Sequence, residues 1–253
     1  MAKRVDHLTA VALAILILFG SASPARSQTF RAGAHDAGST RYIPGWAGYV
    51  VRSSAGEFTR VHARWTQPRA ECAVPGSSTA FWVGLGGATK ASRALEQVGT
   101  SADCSGVATL SYSAWYELFP AGPVDLPVDV RPGDIIDAAV AVDDTSATIT
   151  LSNVSSGVAA SRQVAMEAPE TDSAEWIVEA PSMCFVKCTQ LPLTPFDRVR
   201  FTGSSTALAT HTGAITDSQW RSHRLLMGAR GLVKATASPI FDNGASFTVT
   251  PRR

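Results

Sequence analysis

The sequence predicts an all-β fold, an antiparallel β-sandwich, on three observations. Short runs of β-branched and aromatic residues recur between clusters of Gly, Pro, Ser and Asp, the pattern of strands broken by turns. Apolar residues at helical spacing are scarce, so few segments have a face to bury as a helix. No internal repeat or interior linker divides the chain, so the runs belong to one domain.

The chain opens on Lys3 and Arg4, an apolar run over 8–19 and small residues over 21–27, the pattern of a secretory signal peptide cleaved after Ser27. That run is short for a bilayer span, and no later stretch reaches the roughly 20 apolar residues a membrane helix needs. An exported chain with no membrane association after signal removal is expected. Residues 28–41 read as an extended, polar lead-in, and 42–253 as a single β-sandwich domain.

Within that domain the predicted strands are 58–65, 80–85, 94–98, 107–118, 135–142, 147–151, 174–178, 199–202 and 246–250. Turn chemistry separates them at RPGD (131–134), VDDTS (142–146) and NVSSG (153–157). The last contains a formal glycosylation sequon at Asn153.

Composition narrows the function. With 22 Lys and Arg against 21 Asp and Glu, the formal charge is +1, and no long run of one sign occurs. This balance argues against nucleic acid or an anionic membrane as the main partner. The five histidines are scattered and no CxxC or HExxH spacing appears, so no metal or other cofactor is expected. No GxSxG element points to a serine hydrolase, and no DTG or DSG element is present.

Cys72, Cys104, Cys184 and Cys188 form an even set in an exported chain, which points to two disulfides. Four cysteines allow three pairings. Closure of a tight loop just after residues 174–182 favours Cys184 with Cys188, and hence Cys72 with Cys104.

Two acids stand out in strand runs. In AEWIVEAPS (174–182), Ala174, Trp176 and Val178 share one strand face, while Glu175, Ile177 and Glu179 share the other. The tryptophan face reads as core. The opposite face looks into water, as an ordinary solvated strand, or into a cleft where a carboxylate serves as general acid or base. In SYSAWYELFP (111–120), Trp115 and Glu117 share a face opposite Tyr112, Ala114 and Tyr116. An acid beside a large aromatic suits a cleft for extended ligands and equally suits peripheral packing.

Several segments occur in a familiar order: GWAG (45–48), FWVGLGG (81–87), LEQVGT (95–100), SAWYELFP (113–120), RPGD, LSNVSSG (151–157), AEWIVEAPS, PFDRVRF (195–201) and SFTVT (246–250). Together they resemble the glutamic peptidases, the eqolisin family, over nearly all of the chain after residue 44. The resemblance implies a concanavalin A-like, jelly-roll-like sandwich and a secreted, monomeric acid endopeptidase acting on polypeptides. Its catalytic pair falls on Gln97, within an LQ-x-G element that here carries one inserted residue, and on Glu179. It further implies Trp82, Trp46 and Glu117 as substrate-cleft residues.

Such a pair makes chemical sense. A carboxylate takes a proton from water and returns it to the leaving amine, while a neutral amide donates to the oxyanion. With an unperturbed carboxyl, activity rises as Glu179 ionises near a pKa of about 4.3. Two departures from the family pattern bear on that value: Gly86 and Ala180 stand where members often carry Asp. Competing readings are a non-catalytic carbohydrate- or peptide-binding module of the same fold, and a glycoside hydrolase using Glu117 and Glu179 about 5–10 Å apart.

Overall fold

The computed structural model describes residues 39–54, 56–89, 92–106, 109–166, 169–184 and 187–252. The predicted signal peptide, the lead-in up to residue 38 and the first two residues of the predicted strand 107–118 lie outside the described residues. The fold is all-β, with no helix among the described residues, and its named strand pairs are antiparallel except for the parallel pair of the first strand with the segment Arg224–Met227.

Pro44 and Gly45 separate β1 (Thr40–Ile43) from β2 (Trp46–Arg52), so the first strand starts within the segment expected as lead-in. β3 (Phe58–Thr66) alternates buried Val61, Ala63 and Trp65 with outward Arg60, Arg64 and Thr66, as a strand with one wet face must. β4 (Ser77–Gly86) is buried throughout. β5 (Leu95–Ser105) is nearly so, and both are therefore covered on both faces. They are followed by β6 (Thr109–Phe119) and β7 (Val124–Leu126).

A meander of β8 (Ile135–Val142), β9 (Ser146–Asn153) and β10 (Val158–Ala165) comes next. Its turns use the predicted residues: Asp143 accepts the Thr145 and Ser146 N–H groups at 2.9 and 2.7 Å, and Asn153 Oδ1 accepts those of Ser155 and Ser156. Asn153 is 1% exposed. Its Nδ2 donates to Asp129 O and Asp134 Oδ2 at 2.9 and 2.7 Å, so the sequon nitrogen is committed to the fold.

The remaining strands are β11 (Ser173–Glu179), β12 (Ser182–Cys184), β13 (Cys188–Gln190), β14 (Val199–Leu208), β15 (His211–Ala214), β16 (Arg221–Ala229), β17 (Leu232–Ala237) and β18 (Phe247–Pro251). Disulfides join Cys72 to Cys104 and Cys184 to Cys188, the second closing the β12–β13 hairpin.

One hydrogen-bonded path runs β10-β9-β8-β3-β14-β18-β17-β16-β2-β11-β4-β5-β6-β7. β16 turns the corner: Arg221–Leu225 pair with β2 and Leu226–Ala229 with β17. β3, β8, β9 and β14 then lie against β4, β5 and β11. The two layers enclose a core around Trp65, Trp176, Phe81, Phe201 and Phe247, and the Trp176 indole donates across it to His62 O at 2.9 Å. A second apolar cluster, with Trp46, Trp82, Leu95, Trp115 and Ile177, covers the other face of the β2-β11-β4-β5-β6 layer. The site lies on that second face.

Candidate active site

β11 projects Ala174, Trp176 and Val178 into the inter-layer core, which leaves Glu175, Ile177 and Glu179 on the opposite face. The ladders set three rows across that face. Ile177, Trp82, Gly99 and Trp115 form the middle row; Glu179, Ala80, Ser101 and Ser113 lie on one side of it, and Glu175, Gly84, Gln97 and Glu117 on the other. Gly99 is obligatory, because a Cβ there would lie 2.2 Å from Phe81 O and 2.6 Å from Trp82 Cβ. The glycine in LEQVGT thus makes room for the tryptophan of FWVGLGG.

Gln97, Glu117 and Glu179 line one cleft of about 270 Å³, together with Trp115 and, among others, Ser101, Asp103, Asp125 and Leu191. Glu179 is 4% exposed. Its Oε2 accepts the Trp82 indole N–H at 2.9 Å, and the nearby Trp46 indole also favours the ionised carboxylate. The two indoles meet edge to face, with centroids 5.0 Å apart. Burial pushes the Glu179 pKa up to about 7, and the two indoles oppose that rise. Gln97 donates through Nε2 to Glu117 Oε2 at 2.5 Å. Gln97 Oε1 and Glu117 Oε1 have no protein partner. Burial first, and repulsion from Glu179 second, raise the Glu117 pKa to about 8.

A buried carboxyl held by an indole N–H donor, in a cleft shared with an amide that keeps a free oxygen, is an arrangement for activating water. The peptidase A4 family model matches residues 44–229. The chain belongs to the peptidase A4 family. Scytalidopepsin B of Scytalidium lignicola is 30% identical over 183 residues, which cover 69% of this chain and 67% of that protein. The fold matches that of scytalido-glutamic peptidase bound to a transition state analog inhibitor, with TM-score 0.72 and 23% identity over 83% of this chain and 98% of the other. It also matches aspergilloglutamic peptidase from Aspergillus niger, with TM-score 0.56 and 26% identity over 69% and 99%. This A4 peptidase is a hydrolase of the glutamic type.

Two sequence expectations change in the fold of this A4 peptidase, those for Glu175 and for the Glu179 pKa. Trp82 and Trp46, expected on the substrate wall, are 0% and 1% exposed beside Glu179, and Trp115, 8% exposed, lines the cleft. Alternation had placed Trp115 beside Glu117, which was the signal for it. Glu175, expected to face water or a cleft with Glu179, is 0% exposed; its neighbours on the ladders are Val50 and Gly84, under the apolar cluster that contains Val50, Leu95 and Trp82. The Glu179 pKa lies well above the free-carboxyl value because the side chain is desolvated.

Gly86, one of the two departures from the family pattern, has a φ of +82°, and an added Cβ would lie 2.0 Å from Glu170 O. Glu170 is held there by its carboxylate, which accepts the Arg93 N–H at 2.6 Å. The loop occupies the space that the Asp common in the family requires. At the other departure, Ala180 is 1% exposed and its N–H bonds Gly45 O at 2.9 Å.

Proposed function

We propose that this A4 peptidase is an exported endopeptidase that cleaves polypeptides with Glu179 as general base and acid and Gln97 as oxyanion donor. The observation that carries the reading is the cleft itself. It joins a buried Glu179, oriented by Trp82, to Gln97, whose Oε1 is unpartnered.

In the reaction, ionised Glu179 takes a proton from water as the water oxygen attacks the peptide carbonyl carbon. The carbonyl electrons move to oxygen. An amide has two N–H donors: one from Gln97 holds Glu117, and the other stabilises the oxyanion, with the free Oε1 accepting from the incoming water. Protonated Glu179 then donates to the amine nitrogen as the C–N bond breaks. Glu117 fixes which way the Gln97 amide faces and borders the substrate. The solved relatives were captured with a peptide-based transition state analog and with the tripeptide Ala-Ile-His, the ligand chemistry this reading takes.

The reading further takes 42–253 as the catalytic domain, exported through residues 1–27, monomeric and without a metal or cofactor. Incubating the purified chain with a denatured protein, beside its Glu179→Gln variant, tests it. Cleavage by the parent alone supports the assignment. Intact substrate with a folded parent at every pH returns the binding-module reading.

A further inference from the structure

Two surface hollows outside the catalytic cleft, of about 610 and 570 Å³, share Arg69 and Asp197 on their walls and form one groove. The backbone bond from Asp197 N to Arg69 O, 2.8 Å, ties the junction. The groove carries Arg69, Arg198, Arg200, Lys234 and Arg252 against Glu71 and Asp197. Arg200 is paired with Asp242 and lies over the Phe241 ring, and Lys234 donates to Gln190 Oε1 at 2.9 Å. Arg69, Arg198 and Arg252 make no side-chain hydrogen bond or ion pair among the described residues. The catalytic cleft is the opposite: it is lined by four acids and by no Lys, Arg or His. In a chain whose formal charge is +1, the two fields are separated by position.

The groove is also apolar. Leu232, 72% exposed and the most exposed large hydrophobic among the described residues, stands on it, with Phe241 at 36%. An exposed leucine beside arginines offers a polypeptide an apolar contact and a charged one together. Its position is equally informative. Leu191 lines the catalytic cleft and Leu193 the groove, so about 7 Å of extended chain separates the two walls.

We propose that this groove is a second binding site for the substrate, which receives an acidic, apolar-bearing extension of a polypeptide whose scissile bond lies in the cleft. The proposal rests on the peptidase reading. Unpaired arginines supply the charge complementarity, which steers and selects a partner. Leu232 and Phe241 favour a polypeptide over a sulfated polysaccharide, which offers no apolar side chain.

The test uses a short cleavable peptide and two versions lengthened at either end by a tail of Asp, Glu and Leu. The expected result is that one tailed peptide shows about a tenfold lower KM than the short one, the sum of a few exposed charge pairs. Raising salt from 0.05 to 0.5 M and the double change Arg69→Glu with Arg198→Glu each remove that advantage, and the short peptide is cleaved as before. Leu232→Ser reduces it in part. Equal KM for all three peptides overturns the groove, as does an advantage that survives charge reversal, or heparin binding with no tail effect. If no peptide is cleaved, the peptidase reading fails instead. The fluorescein-labelled tail with the Glu179→Gln chain, followed by anisotropy, then decides the groove alone: saturable, salt-sensitive binding supports it and absence of binding overturns it.

Discussion

The indole N–H of Trp82 on β4 meets the Oε2 of Glu179 on β11 at 2.9 Å, diagonally across the ladder, since Trp82 pairs with Ile177 and Glu179 with Ala80. The bond stabilises the ionised carboxylate and so opposes the burial that raises its pKa. Trp82→Phe removes the donor. A hydrogen bond to a charged group is worth about 1.5–3 kcal/mol, so the rising limb of kcat/KM moves up by roughly 1–2 pH units. A limb at unchanged pH, in a variant that remains folded by circular dichroism, contradicts the role given to Trp82.

Glu179→Gln and Gln97→Ala each remove one half of the proposed chemistry. Loss of one oxyanion donor costs about 100-fold to 1,000-fold in kcat, and loss of the base at least as much. Glu175→Gln is the control: it shares the strand face but is fully buried outside the cleft, so turnover stays at the parent level. Single-turnover rates at matched folded concentration decide between them.

Glu117→Ala frees the Gln97 amide, whose Nε2 it now holds. A misplaced catalytic group costs on the order of 100-fold. The fall is expected mainly in kcat if Glu117 orients Gln97, and mainly in KM if it only borders the substrate. Comparing the two constants for one peptide separates the roles.

The pH profile follows from Glu179 with its pKa near 7. As the proposed base it works only when ionised, so the acid optimum expected from the family is displaced upward, the rate climbing towards neutrality rather than levelling near the free-carboxyl value. Chelators and serine- or cysteine-directed reagents are expected to leave it unchanged, because the proposed mechanism uses neither a metal nor such a nucleophile. A profile that is flat above pH 5 contradicts the buried base.

Stability runs the other way. Glu96 is 0% exposed and desolvation raises its pKa to about 8; Glu175 is raised by the same cause. A carboxyl whose folded pKa exceeds its unfolded value stabilises the fold fully below the unfolded pKa, about 4.5, and loses that contribution as pH rises through about 8. Tm is expected to fall between pH 4 and pH 8, and Glu96→Gln is expected to flatten the fall by about 5 °C or more. Parallel Tm curves for parent and variant contradict this.

Short β-branched and aromatic runs between turn residues assigned the β class, and alternation assigned the core face of β11 through Trp176 and the neighbours Trp115 and Glu117, because strand period is a local property. Loop closure after residue 182 likewise favoured Cys184 with Cys188. Motif order singled out Gln97 and Glu179. Strands such as β10, VAASRQVA, went unpredicted because a largely exposed edge strand carries no buried alternation.

Alternation says which side chains share a face and is silent on what covers that face. Glu175 lies between β2 and β4, both distant in sequence, and the same long-range packing brings Trp46 and Trp82 to Glu179. The bond from Gln97 to Glu117 depends on the β5–β6 register, and the space over Gly86 on a loop more than eighty residues away. The residue types of the site were therefore legible in the chain. Their protonation, partners and exposure came from tertiary packing, because desolvation depends on what the fold brings over a residue.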